Sequence, residues 1–210
     1  MFCGKQEKLS NEERCDRVAE YYTRKYRDVP TLSFREWMQR EAKSDTYLID
    51  VRSRPERQVS MLEGAMTPTE FEAKLKTIHV DENTRVLVYC TIGYRSGLEA
   101  RRLRLQYNEL DGHVYNTDGI IAFTHAQSNA REKRSEVTPS TVLIEPSTGN
   151  NATAVHTFGR MWDFTDDEHY ETKHFPPHVL VFRMTQVAGL VVWRSMQRMA
   201  YCLRRCSTIK

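Results

Sequence analysis

Apolar residues fall along this chain in two patterns: short runs of four or five bounded by polar turns, and stripes that recur at helical spacing. The runs predict strands at Pro30–Leu32, Tyr47–Val51, Arg85–Tyr89 and Gly112–Asn116. The stripes predict helices, and capping signals fix where several begin. Ser10 with Glu13 opens a helix to about Arg27, whose Val18, Tyr21, Tyr22 and Tyr26 form a docking face. Ser33 with Glu36 opens a second, through about Ala42. Thr67-Pro68-Thr69-Glu70 combines an N-cap, a proline at the first helical position and a glutamate two residues on, and opens a third to Leu75. A loop is expected between Val51 and Thr67, and a further helix over Ser96–Leu110. Strands alternating with helices give an α/β domain with a central parallel sheet flanked by helices, whose ligand belongs at the carboxyl ends of the strands.

Beyond about residue 130 the pattern changes. Arg131–Thr153 is polar, carries Pro139, Pro146 and Gly149, and reads as a surface connection or mobile loop. Val155–Phe164 is too aromatic for a free linker and is expected to fold back over the domain. After Pro176-Pro177, apolar residues from Met184 through Val187, Leu190, Val191, Met196 and Met199 to Leu203 recur near helical spacing, with Arg194, Arg198 and Arg205 on another face. Two central arginines argue against a membrane span. A helix docked on the domain, one on a membrane surface and one that binds a partner remain open. The chain thus divides into an N-terminal helical segment (1–28), a central α/β domain (29–130), a polar connection with an aromatic-rich segment (131–178) and a basic amphipathic C-terminal helix (179–210).

Composition narrows the class. With 40% hydrophobic and 28% charged residues in 210, and a mean hydropathy of −0.63, the chain is an ordinary globular protein. A net charge of +3 is too small to imply nucleic-acid binding. Its distribution matters more: no acidic residue follows Glu171, while Lys173, Arg183, Arg194, Arg198, Arg204, Arg205 and Lys210 are basic. Cys3, Cys15, Cys90, Cys202 and Cys206 form neither a disulfide framework nor a zinc pattern. A reducing compartment, the cytoplasm by default, is the expectation, with membrane association through the C-terminal helix as an addition. Cys202 and Cys206, one helical turn apart, read first as two unmodified thiols.

Candidate chemistry centres on Val88-Tyr89-Cys90-Thr91-Ile92-Gly93-Tyr94-Arg95-Ser96-Gly97. Cys90 ends a buried strand at a short loop that opens a helix, so the amides from Thr91 to Ser96 can turn inward as a nest that favours an anion. If that anion is the Cys90 sulfur, the nucleophilic thiolate is populated near neutrality. Gly93 permits the tight turn, and Arg95 can hold the loop shape and attract an anionic donor such as thiosulfate. No histidine has the partner motif of a Cys/His hydrolase.

Cys-x-x-Gly-x-Arg-Ser after an apolar strand resembles the active-site loop of the rhodanese-like sulfurtransferases. Further segments agree in order: Asp50-Val51-Arg52 looks like that family's Asp-Val-Arg strand end, Gly64-Ala65 its Gly-Ala segment, and Asp118-Gly119 its closing glycine turn. The resemblance spans about Thr31 to Ala126. It implies a rhodanese-like three-layer domain in which Cys90 is the nucleophile and Arg95 a second catalytic residue. Thr91, Ile92, Gly93, Tyr94 and Ser96 would hold the substrate, and Asp50 with Arg52 would form a supporting ion pair. The reaction it implies moves a sulfane sulfur from thiosulfate or a persulfide through a Cys90 persulfide to cyanide, glutathione, thioredoxin or another protein thiol, with no metal or organic cofactor. The departures fall in supporting positions: Ser60-Met61-Leu62-Glu63 replaces the family's His-Ile-Pro stretch, Asp118 one glycine, and Phe123 a tryptophan. Phosphatases and arsenate reductases sharing this fold are a rival class, but their pattern has five residues between cysteine and arginine where Thr91–Tyr94 supplies four. A non-enzymatic interaction module, recruited to membranes or partners by the C-terminal helix, is the other.

Overall fold

The computed structural model describes residues 9–39, 45–132, 141–189 and 192–193. Its centre is a sheet of three parallel strands, β1 (Thr46–Asp50), β3 (Arg85–Tyr89) and β4 (Val114–Asn116), in the order β1-β3-β4. Between β1 and β3 run α3 (Arg54–Val59), the short β2 (Met61–Leu62) and α4 (Pro68–Leu75); α5 (Tyr94–Gln106) links β3 to β4. Two helices precede the sheet, α1 (Asn11–Lys25) and α2 (Phe34–Gln39), and α6 (Ile120–Glu132) follows it.

Strand β3 is buried on both faces, and its alternating side chains organise two cores. Leu87 and Tyr89 face Phe34, Ile120 and Phe123 of α2 and α6. Val86 and Val88 face Phe71 and Leu75 of α4, Ala100 and Leu103 of α5, and Tyr26. This is the flanked parallel sheet that the pattern predicts. The capping boxes at Ser10 and Thr67 form, and Ser33 and Glu36 exchange the same pair of bonds. The Pro30–Leu32 strand is reduced to one bridge, Thr31 to Asn116.

Three expectations need correction. The stretch after Val51 is not all loop: Ser53 and Glu56 form another capping box, with Pro55 in the first turn, and open α3. Second, the described part of Arg131–Thr153 is not all surface connection, although residues 145–151 are exposed. Its β5 (Leu143–Ile144) pairs antiparallel with β2, and Leu143, 2% exposed, belongs to the α2/α6 core. The strand β6 (Ala154–His156) then pairs parallel with β7 (Glu171–Lys173), with Val155 in that same core. Third, the C-terminal helix begins earlier than Val179: residues 177–189 are helical (α7), with Pro177 at the start, where its missing N–H costs nothing. No helix among the described residues is long and apolar enough to cross a membrane. Cys202, Cys206 and the rest of the apolar stripe beyond 193 lie outside the described residues, as do Cys3 and residues 133–140.

Candidate active site

Tyr89 ends β3 and Tyr94 begins α5, which leaves Cys90–Gly93 as the connecting loop. The loop must reverse direction quickly. Gly93 does so with φ of +88°, and its carbonyl accepts the Asn116 side-chain amide at 3.0 Å. Gly119 lets the next turn close against the same loop: φ is +97°, and a Cβ there would lie 2.5 Å from the Thr91 carbonyl oxygen. The amides of Ile120 and Ile121 then donate to the carbonyls of Cys90 and Thr91. The Asp-Gly turn is thus a clamp on the cysteine loop. Asp118, standing where the resemblance has glycine, accepts the Phe34 amide at 3.0 Å and so caps α2; burial pushes its carboxyl up to about 7.

Cys90 is a free thiol, 1% exposed, and Ser96 Oγ donates to its sulfur at 3.4 Å. The first backbone bond into α5 runs from the Gly97 amide to the Gly93 carbonyl, so the amides of Tyr94 to Ser96 precede the helical ladder. Of the residues expected to hold the substrate or act on it, Thr91, Ile92, Tyr94 and Arg95 line the pocket beside Cys90, whereas Gly93 and Ser96 do not, and Thr91 and Arg95 have other partners. The Arg95 guanidinium is held by Glu56 through two bonds of 2.6 and 2.8 Å, and it also donates to Thr91 Oγ1 at 3.0 Å. Thr91 in turn donates to Glu56 at 3.3 Å. Burial alone would raise the Glu56 carboxyl; the Arg95 charge and hydrogen bonds, with help from Arg52 and Ser53, hold it at about 2. Arg95 therefore lines the pocket as one half of a buried, neutral pair.

Asp50 and Arg52 form a second pair, fully buried, with bonds of 2.7 to 3.2 Å; Arg52 also donates to the Ser60 carbonyl at 2.6 Å and lies over the Tyr89 ring. It ties the end of β1 to the segment leading into β2, as supporting structure.

Glu56 pairs with Arg95, Phe158 lines the pocket and His156 stands behind it, and sequence reasoning named none of the three. Glu56 carries a usable signal, the Ser53-x-x-Glu56 capping spacing; the other two lie far away in sequence. Phe158 follows β6 with φ of +67°, uncommon for a bulky side chain and worth roughly 1–2 kcal/mol of strain. It sets its ring 5.0 Å from the Arg95 guanidinium carbon, while its amide donates to His156 Nδ1 at 3.1 Å. Burial lowers the His156 imidazole to about 4, so the ring is neutral at pH 7.

A pocket of about 220 Å³ opens beside Cys90. Its remaining walls are Tyr22 of α1, Tyr94, and a group from the C-terminal segment that includes Met161, Trp162 and Leu180. Burial raises the Tyr22 phenol to about 12, which keeps it neutral. A second cavity, of about 250 Å³ and lined by Glu12, Cys15, Asp16, Arg35 and Asp118 among others, does not reach Cys90, and burial pushes the Cys15 thiol up. Among the described residues no three His, Cys, Asp or Glu side chains cluster as a metal site.

A strand, a cysteine loop clamped by a glycine turn and a helix in this order agree with a comparison against known families: residues 34–121 match the model described as the rhodanese-like domain. The chain carries a rhodanese-like domain. That domain holds Cys90, Arg95, Glu56 and the Asp50–Arg52 pair, whereas α1 and everything from β5 onward lie outside the matched residues. No curated protein matches the chain.

Proposed function

We propose that this protein is a sulfurtransferase that carries a sulfane sulfur on Cys90. The observation behind the proposal is the position of the cysteine: a free thiol at the carboxyl end of the central strand, facing a pocket, with a hydroxyl 3.4 Å from its sulfur and a helix start beside it. Such surroundings stabilise negative sulfur in both halves of an exchange. In the first, the Cys90 thiolate attacks the outer sulfur of thiosulfate; the new S–S bond forms as the old one breaks, and sulfite leaves with the electron pair. In the second, a thiophile such as cyanide or a thiol attacks the outer sulfur of the Cys90 persulfide and regenerates the thiolate. Glutathione, thioredoxin or another protein thiol fits the acceptor role. A reducing compartment such as the cytoplasm would keep the thiol available.

The held guanidinium favours this reading over phosphoryl chemistry. A phosphate would need a free cation and a wider loop, whereas Arg95 is paired with Glu56 and only four residues separate it from Cys90. The test is mass spectrometry of the protein after thiosulfate treatment, with a single cyanide-labile sulfur expected on Cys90. A sulfur found only on other cysteines, or appreciable phosphatase activity in the same preparation, overturns the reading.

A weak attachment to anionic membranes belongs to the same proposal. The face of α7 turned from the pocket exposes Val181 (66%) and Phe182 (60%), and six basic residues with no acidic one occupy Val179–Lys210. Each basic group near an anionic surface is worth about 1 kcal/mol.

A further inference from the structure

The chemistry of the pocket walls names a class of substrate. Six of the side chains around Cys90, Phe158, Met161, Trp162, Leu180, Met184 and Val187, come from a segment beyond the matched domain, and all are apolar. Met161 (63% exposed) and Met184 (52%) form the open rim, and two others are anchored by packing. Leu180 packs on Gly159, where even a Cβ would come within 3.3 Å of it, and Trp162 packs on Phe164, which joins Cys15, Ile92 and Ile121 in a small core. The loop's own cation offers little to an anion: Arg95 is neutralised by Glu56 and faced by the Phe158 ring. An oxyanion entering here leaves water without gaining an unpaired partner from Arg95, while a carbon skeleton gains the whole wall. At about 220 Å³ the space suits one ring or a short branched chain, since a cavity of roughly 150 Å³ already holds benzene.

We infer that the C-terminal segment makes this site selective for sulfur compounds with an apolar carbon group, aryl or alkyl sulfane-sulfur donors and the matching thiols, over small inorganic anions. This deepens the sulfurtransferase reading and rests on it. For a thiosulfonate donor, the Cys90 thiolate bonds to the outer sulfur, the bond from that sulfur to the sulfonyl sulfur breaks, and the electron pair leaves with the sulfinate. The products are the Cys90 persulfide and the sulfinate, with no change in total charge.

The experiment compares thiosulfate, methanethiosulfonate and benzenethiosulfonate as donors to cyanide, using the full chain. The last two carry the same charge and reacting group and differ only in carbon. We expect kcat/KM to be at least tenfold higher for benzenethiosulfonate than for methanethiosulfonate. Leu180→Ala and Met161→Ala should each reduce that ratio at least threefold. Equal efficiency for the two, a preference for thiosulfate, or a ratio that both variants leave intact overturns the inference while sulfur transfer itself stands. To separate the two ideas, Cys90→Ser protein is titrated with benzenesulfinate and methanesulfinate, the products left behind. Tighter benzenesulfinate binding that Leu180→Ala abolishes supports the apolar pocket even if no donor yields a persulfide, and equal binding of the two refutes it.

Discussion

Of the groups around Cys90, those from residues 34–121 are mostly polar and locked together, whereas those from Phe158 onward are apolar and join mainly through packing. Glu56, Arg95 and Thr91 share a closed set of hydrogen bonds, and Gly119 presses the loop from behind. Leu180, Met161 and Trp162 make contacts that tolerate a change of size or shape. On the proposed reading the difference divides the labour: the first group would fix where the sulfur sits, and the second would decide what can approach it. A sequence that kept the domain and changed its C-terminal segment would retain the exchange step and alter its clientele.

The sharpest division is expected at Cys90 itself. Cys90→Ser should abolish thiosulfate:cyanide sulfur transfer, a loss of at least about a thousandfold, because a hydroxyl stays protonated and holds no transferable sulfur. Its circular dichroism spectrum and melting temperature should stay near those of the wild type. Transfer at the wild-type rate would remove Cys90 from the mechanism and leave the apolar wall with nothing to serve.

The next largest effect belongs to the Glu56–Arg95 pair. Glu56→Gln leaves a buried guanidinium without its counter-charge, at a cost of about 3 kcal/mol, and should lower the melting temperature by roughly 6–12 °C. Arg95→Ala leaves the carboxylate stranded and should reduce transfer from anionic and neutral donors alike, because the guanidinium shapes the loop through Glu56. A loss confined to anionic donors would instead make Arg95 a substrate-binding cation. The double variant Glu56→Leu with Arg95→Met removes both charges and should recover part of the stability. The pair also sets a pH dependence. The Glu56 carboxyl, near 4.5 when unfolded and about 2 when folded, contributes stability that is fully present above pH 4.5 and is lost as pH falls toward 2. Acid unfolding of the wild type should be steeper over that interval than that of the double variant, and identical slopes would show that the pair carries no such contribution.

Gly119→Ala probes the clamp with a smaller change. The left-handed backbone and the close Thr91 carbonyl together should cost about 2 kcal/mol, and the displaced loop should lower kcat with each donor by a similar factor. A change in donor preference without a change in rate would mean that the turn shapes the pocket rather than the nucleophile.

Most of the sheet and the cysteine loop can be read from the chain because their signals are local. Arg85–Tyr89 is a dense β-branched run, and the glutamates at 13, 36 and 70 each answer a hydroxyl residue three positions earlier. The same signal at Ser53 and Glu56 opens a helix whose one hydrophobic residue is Val59, where the equally short α2 has Phe34, Trp37 and Met38, so α3 and with it the partner of Arg95 were hidden. The pairing of Glu56 with Arg95 spans 39 residues, and no spacing rule reaches that far. The short β5 disappears into a polar stretch because a two-residue strand needs only Leu143 to face inward. Phe158 and Leu180 look like parts of an aromatic segment and a basic helix; only the fold brings them to Cys90.

The smallest expected effect concerns the other face of α7. Val181 and Phe182 point away from the pocket walls, so serine at both should leave donor selectivity unchanged and weaken binding to vesicles containing anionic lipid by about three- to tenfold. Binding of the wild type should also fall between low and physiological salt, since a surface potential acts on the arginines only within a Debye length of about 8 Å. Salt-insensitive binding, or equal binding to neutral vesicles, would leave apolar insertion as the whole cause. No binding to either kind of vesicle would remove the membrane and leave α7 as a wall of the site and nothing more. If the double serine variant instead shifts the ratio between benzenethiosulfonate and methanethiosulfonate, the two faces of α7 are coupled, and the division between an inner face that selects substrate and an outer face that meets a surface fails.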